Sequence, residues 1–233
     1  MVKKSLQIAG LVLSFKIIKF WLGGDIIIPD LRFLLISIPG IVIAVTIHEY
    51  IKSLVAHKLG DKGIRGQKRL APNPLRHIDP LGGLLMLFFG YGWANPVRLS
   101  VFPPSVRKKA AVIIFLMPFL VNVLLGAAFA IARRLVINHF VPLPGTDLQT
   151  LAIVSQILRQ AAIFNISFAF FNILPIHPMD GMHLISGFSP MTGMKIALRE
   201  KILQLFVVFA IVMGFAAMVF DPAVAAFLNI VTQ

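Results

Sequence analysis

The sequence predicts an all-α polytopic membrane protein with about four to five transmembrane helices and one short re-entrant or hairpin segment. Of its 233 residues, 58% are hydrophobic and only 13% are charged, whereas soluble domains carry about 25% charged residues. The mean hydropathy is +0.89. We therefore expect one membrane domain over residues 1–233, in contact with the lipid bilayer. The sequence has no cysteine, which excludes disulfides and thiolate metal ligands.

The apolar runs divide the chain into candidate helices, because a bilayer is crossed by roughly 20 apolar residues. The run 6–22 is marginal in length and carries Lys16 and Lys19, so it is either a retained span or an interfacial helix. Gly and Pro interrupt the run 81–97, which favours a re-entrant segment over a span. The clear spans are 32–56, 110–132, 150–174 and 202–220.

Basic residues predict the orientation, since cytoplasmic loops are enriched in Lys and Arg. Loop 135–149 has no Lys or Arg, whereas loop 177–201 has three of them. Loop 58–109 is strongly basic through Lys58, Lys62, Arg65, Lys68, Arg69, Arg76, Arg98, Arg107, Lys108 and Lys109. We expect a multi-pass protein of the cell membrane, with loops 58–109 and 177–201 in the cytoplasm. The net charge of +13 is explained by these loops, and we expect no nucleic-acid partner.

Charged residues near the cytoplasmic membrane face form the candidate site. His48, Glu49 and Lys52 lie in the span 32–56, and Asp180 follows the span 150–174. The predicted topology brings all four to the same depth. His48 and position 52 share one helix face, a spacing at which zinc peptidases place two histidines. An ion pair of Lys52 with Glu49 and Asp180 is the structural alternative.

Three stretches add a family resemblance: LAPNPLRHIDPLGGLLML (70–87), GYGWANPVRLS (90–100) and NILPIHPMDGMHLI (172–185). In this order they resemble the site-2 protease family of intramembrane zinc metalloproteases, in its compact bacterial form. The resemblance covers about residues 35–187 and leaves 6–22 and 202–220 peripheral. It implies a Zn²⁺-dependent endopeptidase that cleaves a membrane-spanning protein or peptide near the cytoplasmic face.

The resemblance also implies roles for individual residues. His48 matches the first zinc ligand, Glu49 the catalytic base, and Asp180 the carboxylate ligand. Asn172 matches the asparagine of the Asp-Gly motif, and Asn122 matches less closely an asparagine of the middle span. Both asparagines are candidates for positioning the substrate. The segment GYGWANPV is similar to the membrane-embedded hairpin that guides substrates in the family.

Lys52 departs from the family pattern, because it stands where the HExxH motif has its second histidine. An ammonium group has no lone pair to offer a metal. His177, three residues before Asp180, is a candidate replacement ligand. Two alternatives to the protease follow from the departure. One is a catalytically inactive scaffold that binds membrane partners, and the other is a small transporter or proton relay built on Glu49, Lys52 and Asp180.

Overall fold

The computed structural model describes residues 29–100, 102–140 and 147–232. In these ranges the chain is helical, with no β-strand beyond one isolated bridge between Ile78 and Ala94. The predicted helix 6–22 lies outside the described residues. The helices are α1 (Leu31–Lys58), α2 (Gly63–Gly66), α3 (Pro74–His77), α4 (Pro80–Phe89), α5 (Pro104–Leu135), α6 (Leu148–Phe171), α7 (Gly181–Phe188), α8 (Pro190–Ala197), α9 (Glu200–Val212) and α10 (Phe215–Thr232).

Four helices are long and apolar enough to cross a membrane: Leu31–Lys58, Pro104–His139, Leu148–Phe171 and Phe215–Thr232. The second of these joins α5 to a π-helical turn over Val136–Phe140. The all-α polytopic prediction is thereby confirmed. Helices α1, α5 and α6 pack against one another, and α10 packs on α5 and α6. The protein is a multi-pass membrane protein built around this bundle.

The predicted span 202–220 is wrong in its bounds. The segment is two helices, α9 and α10, separated at Met213 and Gly214. Gly214 adopts a φ of 82°, a left-handed conformation in which glycine pays no steric cost. Hydropathy hides this break, because the residues on both sides of it are apolar. Of the two helices, α10 is the one that qualifies as a span.

The segment 81–97 has the predicted hairpin form. Helix α4 has 10 residues, about half of what a crossing requires. After α4 the chain turns back, and residues 91–100 form neither helix nor strand apart from the isolated bridge at Ala94. The backbone N–H of Asn95 donates to the His77 carbonyl oxygen at 2.8 Å and holds this returning segment in place. Trp93, in the same segment, is fully buried.

The string NPLRHIDP encodes two consecutive helix starts. Asn73 accepts a hydrogen bond from the Leu75 amide at 3.1 Å and begins α3. Asp79 accepts one from the Gly82 amide at 2.8 Å and begins α4. A proline follows each cap at the first helical position, where its missing N–H costs nothing. The string therefore fixes where the hairpin begins beneath α1, against which α3 and α4 both pack.

Candidate functional site

Helix α1 carries three neighbouring polar side chains into the protein interior. His48, Glu49 and Lys52 are each 1% exposed. They lie within the last three turns of α1, which ends at Lys58. Next to these polar side chains lies an apolar buried cluster that includes Ala44, Val45 and Phe168. The His48 ring meets Phe168 edge to face at 5.0 Å between ring centroids, an arrangement that aromatic rings prefer.

Asp180 reaches the same point from the other side of the bundle. It is the residue before α7 and is 1% exposed. The connection after α6 is folded tightly, since the Gly181 amide donates to the Asn172 carbonyl oxygen at 2.9 Å. A Cβ atom on Gly181 would lie 2.1 Å from the Ile173 carbonyl oxygen. Only glycine at this position allows the loop to hold Asp180 against α1.

The four side chains form one continuous charged cluster, as the topology predicts. His48 Nε2 lies 2.7 Å from Asp180 Oδ2. Lys52 Nζ donates to Asp180 Oδ1 at 2.5 Å and also to Glu49 Oε1. Burial alone would raise the pKa of the Asp180 carboxyl, but the Lys52 ammonium and His48 outweigh it and hold that pKa well below its ordinary value. The ion-pair alternative considered from the sequence is the arrangement that the structure adopts.

Arg69 is a fifth member of the cluster, which sequence reasoning counted only as a basic loop residue. Its Nη1 lies 3.8 Å from Glu49 Oε2 and donates to the Asn95 carbonyl oxygen at 2.8 Å. Arg69 therefore joins the charged cluster to the chain segment that follows α4. The cluster balances two carboxylates, Glu49 and Asp180, with two cations, Lys52 and Arg69. The only sequence signal for Arg69 was its basic character.

His177 and His183 occupy different positions relative to this cluster. His177 Nδ1 lies 3.2 Å from Glu200 Oε1 at the start of α9. His183 Nε2 lies 3.8 Å from Asp180 Oδ1. Among the described residues, the candidate metal-binding group comprises His48, Glu49 and Asp180 and does not include His177. A ligand role for His177 would require it to leave Glu200, and the role stays a prediction.

The two candidate positioning asparagines donate to helix carbonyl groups. Asn122 Nδ2 donates to the Ala44 carbonyl oxygen at 3.1 Å, one turn before His48. Asn172 Nδ2 donates to the Phe168 carbonyl oxygen at 2.8 Å. Both side chains are buried. These contacts support the helices that carry the cluster, and contact of either residue with a substrate stays a prediction.

Sequence comparison supplies the family. The chain is 30% identical over 175 residues to YwhC of Bacillus subtilis (strain 168), which is named provisionally as a zinc metalloprotease. The match covers 73% of this chain and 76% of the relative. The chain belongs to this zinc metalloprotease family. No family model matches the sequence, and no solved structure matches it.

Membership of the zinc metalloprotease family raises the question of whether these residues fit a zinc ion. The ligand atoms of His48, Glu49 and Asp180 lie within 4.8 Å of one another, so the group could hold a metal. Catalytic zinc sites combine three protein ligands with an open position for water. Here the third ligand would be Glu49 itself, which leaves no separate base. Lys52 Nζ is moreover bonded to both carboxylates.

The charge balance of the cluster also argues against a zinc ion at this position. The carboxylates of Glu49 and Asp180 and the cations of Lys52 and Arg69 already neutralise one another. A divalent cation added among them would leave a buried excess of positive charge. Such an excess costs several kcal/mol in a low-dielectric interior. As arranged here, the residues do not fit a hydrolytic zinc site. They fit a lysine ammonium group in its place.

Proposed function

We propose that the protein has the site-2 protease form of its family and binds membrane-spanning polypeptides without hydrolysing them. The observation that carries this proposal is the position of Lys52 Nζ, bonded to both Glu49 and Asp180. The catalytic base that the family pattern assigns is thereby paired with an ammonium group. The transporter alternative receives no support from the described cluster, in which every charge already has an opposite partner.

The non-helical segment 91–100, which follows α4, supports the binding half of the proposal. Across residues 95–100, the backbone N–H groups of Arg98 and Ser100 donate to Gln67 and Asp61. The half-buried Leu99 between them has no backbone hydrogen-bond partner in the part of the chain that the structure describes. An extended polypeptide can pair with such a free backbone position by main-chain hydrogen bonds. Arg69 ties this segment to the cluster through the Asn95 carbonyl oxygen and Glu49. By the predicted topology, the segment and the cluster lie at the cytoplasmic membrane face.

Zinc content tests the loss of hydrolysis. We expect purified wild-type protein to hold far less than one zinc per chain. The variant Lys52→His should approach one zinc per chain, because it replaces the ammonium group with an imidazole on the same face of α1 as His48. Inductively coupled plasma mass spectrometry on both proteins gives the ratio. Lys58→His, at the exposed end of the same helix, is the matched control and should gain no zinc.

Binding is tested separately with a synthetic membrane-spanning peptide that carries helix-breaking residues near one end. We expect saturable binding to the wild-type protein in detergent micelles, measured by fluorescence anisotropy, and no cleavage product by mass spectrometry. Leu99→Pro removes one free backbone donor and should weaken binding, whereas the matched control Leu99→Ala, which keeps that N–H, should not. Absence of saturable binding would remove the binding half of the proposal.

Zinc-dependent intramembrane proteolysis is a second candidate, favoured by the close grouping of His48, Glu49 and Asp180 and by the name of the relative. It requires Lys52 to leave both carboxylates. If the protein is such a protease, the wild type should hold nearly one zinc per chain and should cleave the peptide. Glu49→Gln should then lower the cleavage rate by roughly 10²–10⁴ while zinc is retained. Those results would replace our proposal.

A further inference from the structure

A second polar region lies in a groove between three helices of the bundle, away from the charged cluster around His48; Arg159 and Asp221 are exposed there. It is a cavity of about 420 Å³ between α5, α6 and α10, a volume within the roughly 300–1,000 Å³ of small-molecule sites. Arg133 and Arg159 line it together with Asp221. All three residues lie in helices that qualify as membrane spans. Arg159 lies in the middle of the predicted span 150–174.

The charges around this cavity do not balance. In the described part of the chain, neither Arg133 nor Arg159 has a carboxylate within ion-pair distance. The Nε atom of Arg133 is buried and has no hydrogen-bond partner. The single facing carboxylate, Asp221, accepts a hydrogen bond from the Tyr91 hydroxyl at 2.6 Å. Two guanidinium groups therefore face one carboxylate, which leaves one positive charge in excess.

Neighbouring charges do not remove this excess. Arg159 also lines an adjoining cavity with Asp30 and Arg32, whose charges offset each other. Charged groups inside a membrane are costly unless a partner neutralises them. A missing anion would complete the region, and the guanidinium group is the side chain best suited to bind phosphate with two hydrogen bonds.

We propose that this cavity binds a phosphate group, supplied either by the headgroup of an anionic phospholipid or by free inorganic phosphate. The phosphate oxygens accept hydrogen bonds from Arg133 and Arg159. The apolar part of the lining, formed by Ala162, Val224 and Leu228, suits an acyl chain that enters between the helices. The site is independent of the function proposed for the His48 cluster.

Native mass spectrometry of the full chain in detergent tests the proposal. Three probes are titrated separately: dioctanoyl phosphatidylglycerol, dioctanoyl phosphatidylcholine and inorganic phosphate. We expect at least one anionic probe to bind with one molecule per chain. The double variant Arg133→Gln, Arg159→Gln should weaken that binding by about tenfold or more, the loss expected when charge-assisted hydrogen bonds are removed. Arg134→Gln, an exposed neighbour of Arg133 that does not line the cavity, should leave the affinity unchanged.

The three probes also distinguish the sources. Binding of phosphatidylglycerol but not of inorganic phosphate assigns a lipid headgroup, and binding of both with equal affinity assigns free phosphate. If the double variant fails to fold, the charge-conserving variant Arg133→Lys, Arg159→Lys takes its place and should lose affinity while it keeps specific binding. Equal affinity for phosphatidylcholine and phosphatidylglycerol would overturn the proposal. So would binding that is the same in the wild type and the cavity variants.

Discussion

Lys52 joins the two carboxylates of the buried charged cluster. Its ammonium group is fully buried, yet it is bonded to Glu49 and Asp180, so its charge is neutralised at both sides. Removing one member of a buried ion pair leaves an uncompensated charge behind, which costs more than the pair contributes. The cluster therefore depends on Lys52 for stability as well as for charge balance.

Substitution of Lys52 by methionine tests this dependence. Methionine fills a similar volume but leaves the Glu49 carboxylate with Arg69 alone at 3.8 Å and removes an ammonium donor from Asp180. We expect a loss of about 3–5 kcal/mol in the free energy of unfolding, measured by denaturation in mixed detergent micelles. Lys58→Met, on an exposed residue of the same helix, should change that free energy by less than about 0.5 kcal/mol.

The double variant Lys52→Met, Glu49→Gln separates charge from packing. It removes one positive and one negative charge together, so part of the lost stability should return. A double variant no more stable than Lys52→Met would mean that Lys52 acts by packing alone.

At the scale of elements, the connection between α6 and α7 decides where Asp180 lies. This connection holds Asp180 against α1 because the Gly181 amide approaches the end of α6 closely. The hairpin performs a similar task on the other side, where Asn95 and Arg69 connect it to the cluster. Two short connections, rather than the long helices, therefore close the site.

Gly181→Ala should open the connection after α6. The added Cβ would lie 2.1 Å from the Ile173 carbonyl oxygen, so the backbone must shift and Asp180 must move from Lys52. We expect a loss of roughly 1–3 kcal/mol in the free energy of unfolding. The control is Gly66→Ala, where an added Cβ meets nothing within 4 Å and the stability should stay nearly unchanged. An unaltered Tm for Gly181→Ala would show that the connection tolerates a wider path.

At the scale of the whole molecule, the distribution of basic residues predicts which loops of the protein lie on the cytoplasmic side of the membrane. The stretch before α5 is strongly basic, whereas loop 135–149 has no Lys or Arg. The cluster lies toward the end of α1 that leads into the basic side. We therefore expect the cluster to open toward the cytoplasm.

Single cysteines test this orientation, and the natural sequence has no cysteine to interfere. Ser105→Cys lies in the first turn of α5 on the basic side, and Gln149→Cys lies in the first turn of α6 on the other side; both positions are exposed. A membrane-impermeant thiol reagent added to intact cells should label Gln149→Cys and leave Ser105→Cys unlabelled until the cells are opened. The reverse pattern would invert the orientation.

The sequence by itself determined the membrane class and three of the long helices, because hydropathy depends only on which residues follow one another. It also determined that His48, Glu49, Lys52 and Asp180 meet, because loop charge predicts which helix ends lie on the same side of the membrane. It left open whether Lys52 excludes or replaces a metal ligand. Only tertiary structure shows that Lys52 Nζ reaches both Glu49 and Asp180, since packing sets which atoms lie near it. Residues far apart in sequence likewise decide the contact of Arg69 with Glu49 and the cavity between Arg133 and Arg159. Backbone conformation decides the break at Gly214. Apolar periodicity carries no information about such contacts, because it records burial and not partners.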